Sequence, residues 1–189
     1  KYPGLSAILE AKIKNTRTPI KIDFGFGDIV YTKALVREIP TQLPDFAPPT
    51  GKTYSVEKTF AEKLDAILSL MEFSSRMKDY YDIYFLSLKF SFEGEALRIA
   101  LTKTFKTRER TYHIEDLQRV IELDSNEAMH KKWKAFIKKT HLPALDFSEV
   151  LAGINAFIEP IWVTIATDDA FILNWDCQQA AWNKFTEYQ

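Results

Sequence analysis

Cysteine is almost missing from this chain of 189 residues. Cys177 stands alone, so no intramolecular disulfide is available, and a reducing, cytoplasmic setting is the expectation. Histidine is nearly as scarce, and His113, His130 and His141 are too scattered to read as a zinc site by spacing. Charge of one sign is not in excess either. The formal net charge is −1, which removes both a global basic field for nucleic acid and an acidic tail. No apolar run approaches the ~20 residues of a membrane span, so no membrane partner is expected. Internal repeats and low-complexity segments are absent from the sequence. What is present is 46% hydrophobic and 27% charged, the composition of an ordinary globular protein, long enough for one full core or two small ones. Lys1 stands where an initiator methionine would, and the expectation is a processed or trimmed chain.

Residues 5–14 have weak periodicity, compatible with helix or strand. PIKIDFGFGDIVY then reads as a β-hairpin: Ile20, Ile22 and Phe24 alternate with Lys21, Asp23 and Gly25, Gly25 and Gly27 supply a turn, and Ile29-Val30-Tyr31 starts a return strand. Pro40, Pro44, Pro48, Pro49 and Gly51 break regular structure through a loop. From Ser55, a candidate N-cap, the period changes to helix, with Phe60, Ala61, Leu64, Ile67, Leu68 and Met71 on one face. Further helices are expected over 75–89, 95–104, 114–123, 126–139 and 147–157. The stretch from Trp162 to Trp182 is ambiguous, since VTIA favours strand and QQAAWNKF favours helix. The predicted class is α+β: a small β element and Pro-rich loop over residues 1–52, then a helical domain over 53–189.

Several charged residues sit where a core is expected. Asp23 lies on the polar side of its strand, with Asp28 beyond the turn; the pair could hold Mg²⁺, or be simply a solvated residue and a turn residue. Helical geometry places Glu57 near the centre of the apolar face of its helix, where the N-terminal dipole offers partial relief. Lys63 projects from the edge of that face, as a phosphate ligand or as a snorkelling surface lysine. On the next helix Met77, Tyr81, Tyr84 and Leu88 form an apolar stripe, while Asp79, Asp82 and Leu86 point roughly opposite. Arg76 and Lys78 flank the two aspartates and could neutralise them, so a structural ion-pair cluster and a polar pocket both fit. TKTFKTRERTYH gathers Lys103, Lys106, Arg108 and Arg110 with Phe105 and Tyr112, a phosphate- or RNA-contacting patch or a solvated loop. Trp162, Trp175, Trp182 and Phe157 read as packing.

Four segments in this order, IDFGFGDIV at 22–30, YSVEKTFAEKLDAIL at 54–68, SSRMKDYYDIYFL at 74–86 and ALTKTFKTRER at 100–110, resemble the AbiEii/AbiGii toxin family of bacterial nucleotidyltransferase-like proteins. The specific elements are an E-x5-K pattern at Glu57 and Lys63 and the R-M-K-D-x-x-D pattern from Arg76 to Asp82. The resemblance covers most of residues 1–160. It implies membership of the DNA polymerase β-like nucleotidyltransferase superfamily and transfer of a nucleotide from an NTP, with Mg²⁺, onto a macromolecular acceptor. Some relatives modify the acceptor end of tRNA, and the family serves in toxin–antitoxin pairs and abortive phage infection. Carried over by position, Asp23 is the third strand carboxylate of the metal site. Lys63 meets the triphosphate with Glu57 supporting it, Asp79 acts near the acceptor hydroxyl with Asp82 beside it, and Arg76 and Lys78 are phosphate-side cations.

One departure stands out. The family's first motif, a Gly-Ser or Gly-Gly turn followed by Asp-x-Asp, belongs upstream of Asp23, and KYPGLSAILEAKIKNTRTP does not contain it. The expectation is therefore a C-terminal portion: the intact protein transfers a nucleotide to RNA, tRNA among the acceptors, while this chain alone is inactive. The alternatives are a non-catalytic module that binds RNA or a cognate antitoxin through its helices and the 103–110 segment, and, more weakly, a metal-dependent nuclease using Asp23, Asp79 and Asp82.

Overall fold

The computed structural model describes residues 4–26 and 34–184. Two compact units divide the chain, Lys1–Val30 and Tyr31–Gln189.

The first unit is an antiparallel hairpin of β1 (Gly4–Ile13) and β2 (Thr16–Gly25). Its turn falls at Lys14–Asn15, where Lys14 takes a φ of 52°, as a two-residue hairpin turn demands. The partner of the 16–25 strand is thus the segment upstream of it. The expected return strand at Ile29–Tyr31, with Gly27 and Asp28, lies outside the described residues. Register puts Leu5 opposite Phe24, Ala7 opposite Ile22 and Leu9 opposite Ile20 on one face. Ser6 opposite Asp23 and Lys12 opposite Arg17 make the other face polar. Ile8, opposite Lys21 on that polar face, is the residue that blurs the period of 2 in the sequence of β1.

The second unit begins with β3 (Leu35–Glu38) and β4 (Thr50–Thr53), an antiparallel pair closed by the proline-rich loop. Six helices follow: α1 (Val56–Leu70), α2 (Met77–Lys89), α3 (Gly94–Thr107), α4 (Ile114–Glu122), α5 (Glu127–Thr140) and α6 (Phe147–Thr167). The class is α+β, as expected. Ser55 caps α1 by accepting the Lys58 N–H at 3.2 Å, and Asn126 and Asp146 cap α5 and α6 in the same way. Phe60, Leu64 and Ile67 of α1 meet Leu97 and Leu101 of α3 in one core. Tyr80 and Ile83 of α2 join Val150, Ile154 and Phe157 of α6 in the same cluster.

The buried stripe of α2 is Met77, Tyr80, Ile83 and Ser87, with Asp79 beside it, not the Met77–Tyr81–Tyr84–Leu88 stripe predicted. Tyr81 and Tyr84 are half-buried and Leu88 is exposed. The helix is rotated so that Asp79 turns inward, which its cation partners permit.

The ambiguous C-terminal stretch resolves opposite to its local preferences. VTIA is helical, because α6 runs on through Pro160 to Thr167. The carbonyl that Pro160 leaves without an amide partner belongs to Ala156, which is exposed and can be hydrated. Burial of Ile161 and Trp162, with the Trp162 indole donating to the His113 carbonyl at 3.2 Å, outweighs the β-branched run. QQAAWNK, residues 178–184, instead forms the turn and second strand of β6 (Leu173–Asp176) and β7 (Ala181–Lys184), which pair with β5 (Phe92–Glu93) in a three-stranded sheet. The Asp176 carboxylate accepts the Gln178 and Gln179 amides in that turn. Trp175 and Trp182 donate to the carbonyls of Ser87 and Phe157 at 2.6 and 2.9 Å, so the tryptophans pack the core as expected. α6 is the single helix among the described residues that is long and apolar enough to cross a membrane. Its apolar face is accounted for by the core, where Val150, Leu151, Ile154, Phe157, Ile158 and Ile161 are buried.

Candidate functional site

The antiparallel packing of α1 against α2 brings Lys63 to the two aspartates. Its ammonium stands 3.3 Å from Asp79 Oδ1 and 2.5 Å from Asp82 Oδ2. Lys78, one turn before Asp82 on α2, reaches the same Oδ2 at 2.5 Å. Arg76, at the N-cap position, places Nε 2.7 Å from Asp79 Oδ2 and Nη2 3.5 Å from Oδ1. Lys63, Arg76, Lys78, Asp79 and Asp82 thus stand together as one ion-paired group.

Burial within this group is graded. The Asp79 side chain is 4% exposed, Asp82 17% and Lys63 20%, whereas Arg76 and Lys78 are 60% and 71% exposed. A nearly buried carboxylate needs a cation and hydrogen bonds to offset its lost hydration. Lys63 and Arg76 supply charge, but Asp79 Oδ2 receives no hydrogen bond, because the Arg76 Nε contact is close yet misaligned. That oxygen is thus held by charge without a hydrogen bond at the inner end of the cluster. A second orphan is the hydroxyl of the next residue, Tyr80, fully buried and without a hydrogen-bond partner. Burial, and then the charges of Asp79 and Glu72, push the Tyr80 phenol well above its ordinary pKa. Lys132 of α5 fixes the approach to α2 by donating to the carbonyls of Glu72 and Ser74 at 2.8 and 2.9 Å.

Glu57 does not join this group. It is half-buried at the margin of α1, and the buried position there belongs to its neighbour Lys58. Lys58 pairs with Glu62 at 2.6 Å and contacts Thr104. The helical phase set by Phe60, Leu64 and Ile67 explains the shift: Lys58 and Ala61 fall inside their arc, and Glu57 lies at its edge.

Asp23 belongs to the hairpin unit. It is exposed and holds the hydroxyl of cross-strand Ser6 and the ammonium of Lys21, the latter at 3.1 Å. These two hydrogen bonds, Ser6 first, hold its carboxyl below the usual range. Among the described residues no three His, Cys, Asp or Glu side chains converge as a metal would require. In the α1–α2 cluster the space between the carboxylates is filled by the Lys63 ammonium. The described residues therefore do not form a complete Mg²⁺ site.

A second charged cluster escaped the sequence reading. Asp65, on α1, is fully buried and receives Arg108, Arg110 at 2.7 Å and the Tyr112 hydroxyl at 3.0 Å. Arg108 also pairs with Glu62. Burial raises the Asp65 carboxyl against the pull of Arg110 and Tyr112, and burial pushes Tyr112 up to about 12. The segment read as an outward basic patch thus turns its two arginines inward. The signal available was Asp65 itself, a carboxylate in the phase of Ala61 and Leu68.

A sequence model of the nucleotidyl transferase AbiEii toxin family, described as a type IV toxin–antitoxin system, matches residues 1–153. The chain belongs to this family. No curated protein and no solved structure matches it. The match to the AbiEii family takes in β1 through the first two turns of α6 and with them every residue of the α1–α2 cluster; β6 and β7 lie beyond it. This AbiEii chain is accordingly a nucleotidyltransferase-like toxin of a type IV toxin–antitoxin system.

Proposed function

We propose that the α1–α2 cluster is the acceptor side of a nucleotidyltransferase site, which in the intact protein moves a nucleotide from an NTP to an RNA, with tRNA one candidate acceptor. The observation that supports this best is the Oδ2 of Asp79, buried and without a hydrogen bond yet next to cations that water reaches. In the proposed step, the RNA hydroxyl donates its hydrogen bond to Asp79. Its oxygen attacks the α-phosphorus, the new O–P bond forms as the bond to pyrophosphate breaks, and the proton passes to the Asp79 carboxylate. Lys63 keeps Asp79 and Asp82 in place and lies within reach of a developing phosphoryl charge.

Arg76 and Lys78 suit the phosphate-binding role. Three cations share two carboxylates here, so one positive charge is in surplus. Lys78 is 71% exposed, and surface ion pairs of this kind are worth only about 0–1 kcal/mol, so a phosphate can exchange for the Asp82 carboxylate at little cost. Mg²⁺ is proposed for the intact protein on chemical grounds, and no step above is routed through it. A cognate antitoxin is the proposed protein partner.

The test is nucleotide incorporation from labelled NTPs into total tRNA by the intact protein. Lys63→Ala and Asp79→Asn are expected to lower incorporation by about 10²–10⁴-fold, the usual yield of positioned acid–base chemistry. Unchanged incorporation by both variants would sink the assignment.

A further inference from the structure

We propose that Lys132 of α5 is a positioning residue for the site: it braces the turn before α2, so that Arg76 meets an RNA phosphate from a fixed backbone. The inference rests on the transferase reading for the phosphate that Arg76 receives; the brace itself does not.

The turn between α1 and α2 departs twice from what local physics favours. Met71 ends α1 with a φ of 45°, a left-handed conformation that a residue with a side chain adopts at a cost. Arg76 then occupies the N-cap of α2 with φ −93°, ψ 58° and no capping hydrogen bond from its side chain. Ser74 and Ser75 precede it, and serine is a favoured cap where arginine is not. A guanidinium at that end also opposes the positive pole of the helix dipole. Two unfavourable choices in one short turn persist where the surroundings over-determine the backbone, and they mark functional sites.

Lys132 supplies much of that determination. Met129 and Trp133, on either side of it, are buried and fix this part of α5 in the core. The half-buried Lys132 ammonium donates to the carbonyls of Glu72 and Ser74 at 2.8 and 2.9 Å and reaches the Met129 sulfur at 4.0 Å. Among the described residues no carboxylate pairs with it, so this cation is committed to the backbone of the turn. Ser74 is buried, donates its N–H to the Met71 carbonyl at 3.0 Å and accepts the Arg76 N–H on its hydroxyl at 3.0 Å. The Arg76 carbonyl accepts the Asp79 N–H at 2.9 Å. A continuous run of hydrogen bonds therefore joins α5 to Arg76 and Asp79, whose side chains meet at 2.7 Å. Arg76 is 60% exposed, so its outer nitrogens face water from a backbone that α5 holds. A cation presented in this way has less freedom to lose when a phosphate arrives, and binds it more tightly than one on a loose turn.

The test is a double-mutant cycle in the intact protein, read as KM for tRNA and kcat in labelled-NTP incorporation, with circular dichroism to verify each fold. Lys132→Met keeps most of the apolar stem and removes the donors. It is expected to raise KM about tenfold while kcat changes by about threefold or less. Lys132→Arg, which can still donate to both carbonyls, is expected to restore most of the affinity. Should the methionine variant not fold, Lys132→Gln, with one amide donor left, carries the same comparison. Arg76→Ala is expected to raise KM by a similar factor, and adding Lys132→Met to it to raise KM by no more than about twofold, because the brace then has nothing to position. A full further rise in that background overturns the proposal, as does an unchanged KM in Arg76→Ala or a loss of kcat and Tm with KM unaltered. A second readout separates the brace from the transferase reading. The Arg76 Nε–H signal of the isotope-labelled full chain reports its contact with Asp79 and is expected to move or broaden in Lys132→Met. An unmoved signal overturns the brace even if transfer falls. If Lys63→Ala and Asp79→Asn leave incorporation intact while this signal moves, the transferase assignment fails and the brace stands.

Discussion

Removal of Arg110 is the sharpest way to ask whether the 103–110 segment holds the fold together or meets a ligand. Arg110→Gln deletes a guanidinium 2.7 Å from the Asp65 carboxylate and 3.2 Å from the Asp65 carbonyl. Asp65 has no exposed surface through which water could replace it. Breaking a buried ion pair costs about 3–5 kcal/mol when the surviving charge has no other partner. Here Arg108 and the Tyr112 hydroxyl remain, which brings the expectation down to about 2–3 kcal/mol. For a chain of this size that corresponds to a fall in Tm of about 4–12 °C.

The effect carries a pH signature. Burial already raises the Asp65 carboxyl above its ordinary 3.8, so the folded chain holds this proton to higher pH than the unfolded chain does. That contribution to stability is fully present below 3.8 and is lost as pH rises through the raised folded value. Loss of Arg110, the largest of the influences that lower it, raises the folded value further and so deepens the loss. The penalty of Arg110→Gln is therefore small in acid, where Asp65 is protonated in both chains, and grows between roughly pH 4 and 7. Thermal unfolding by circular dichroism across that range measures it. An unchanged Tm at pH 7 together with weakened RNA binding would refute the clasp and restore the segment as a ligand surface. A penalty constant with pH would show that the lost contact is packing, not charge.

Two further predictions concern the β5–β6–β7 sheet. A methyl group at Gly94 would overlap the Leu173 carbonyl oxygen and the Phe171 ring, so Gly94→Ala is expected to destabilise by about 3 kcal/mol despite alanine's helix preference, read as a lower Tm with loss of near-ultraviolet tryptophan signal. Glu95 is held below its ordinary 4.5 chiefly by Arg98 and also accepts the Phe171 amide; its contribution is complete above 4.5 and disappears as pH falls through the lowered folded value. Glu95→Gln should therefore remove an acid-side change in tryptophan emission, and an identical acid profile in the variant would disprove it.

Which features were legible in the sequence depends on how far apart their causes lie. α1 was legible because its cap, Ser55, and its apolar face are all within one helical segment. The pairing of Asp79 with Asp82 on one side of α2 was legible for the same reason. The meeting of Lys63 with both required the packing of two helices, and only the family resemblance joined them beforehand. Asp65 and Arg110 are 45 positions apart, so nothing local distinguishes an inward-turned arginine from a solvated one. VTIA and QQAAWNK were left ambiguous since local propensity was the only guide, and burial of Ile161, Trp162 and Trp175, with Trp182 packed against them, decided both.

The grading of burial within the α1–α2 cluster separates a site from a knot. A structural ion-pair knot gains most when every member is sequestered and every lone pair is filled, since a half-satisfied buried network is worse than an apolar one. Here the inner carboxylate is buried and one of its oxygens lacks a hydrogen bond, the bridging lysine is partly exposed, and the two outer cations are mostly in water. An arriving RNA phosphate can draw Arg76 and Lys78 outward without touching the core. Asp79 would then keep Lys63, and the RNA hydroxyl would supply the hydrogen bond that Oδ2 lacks. Binding would thus satisfy a buried acceptor that folding leaves without a hydrogen bond, which gives the folded chain a physical reason to prefer an acceptor strand in that position.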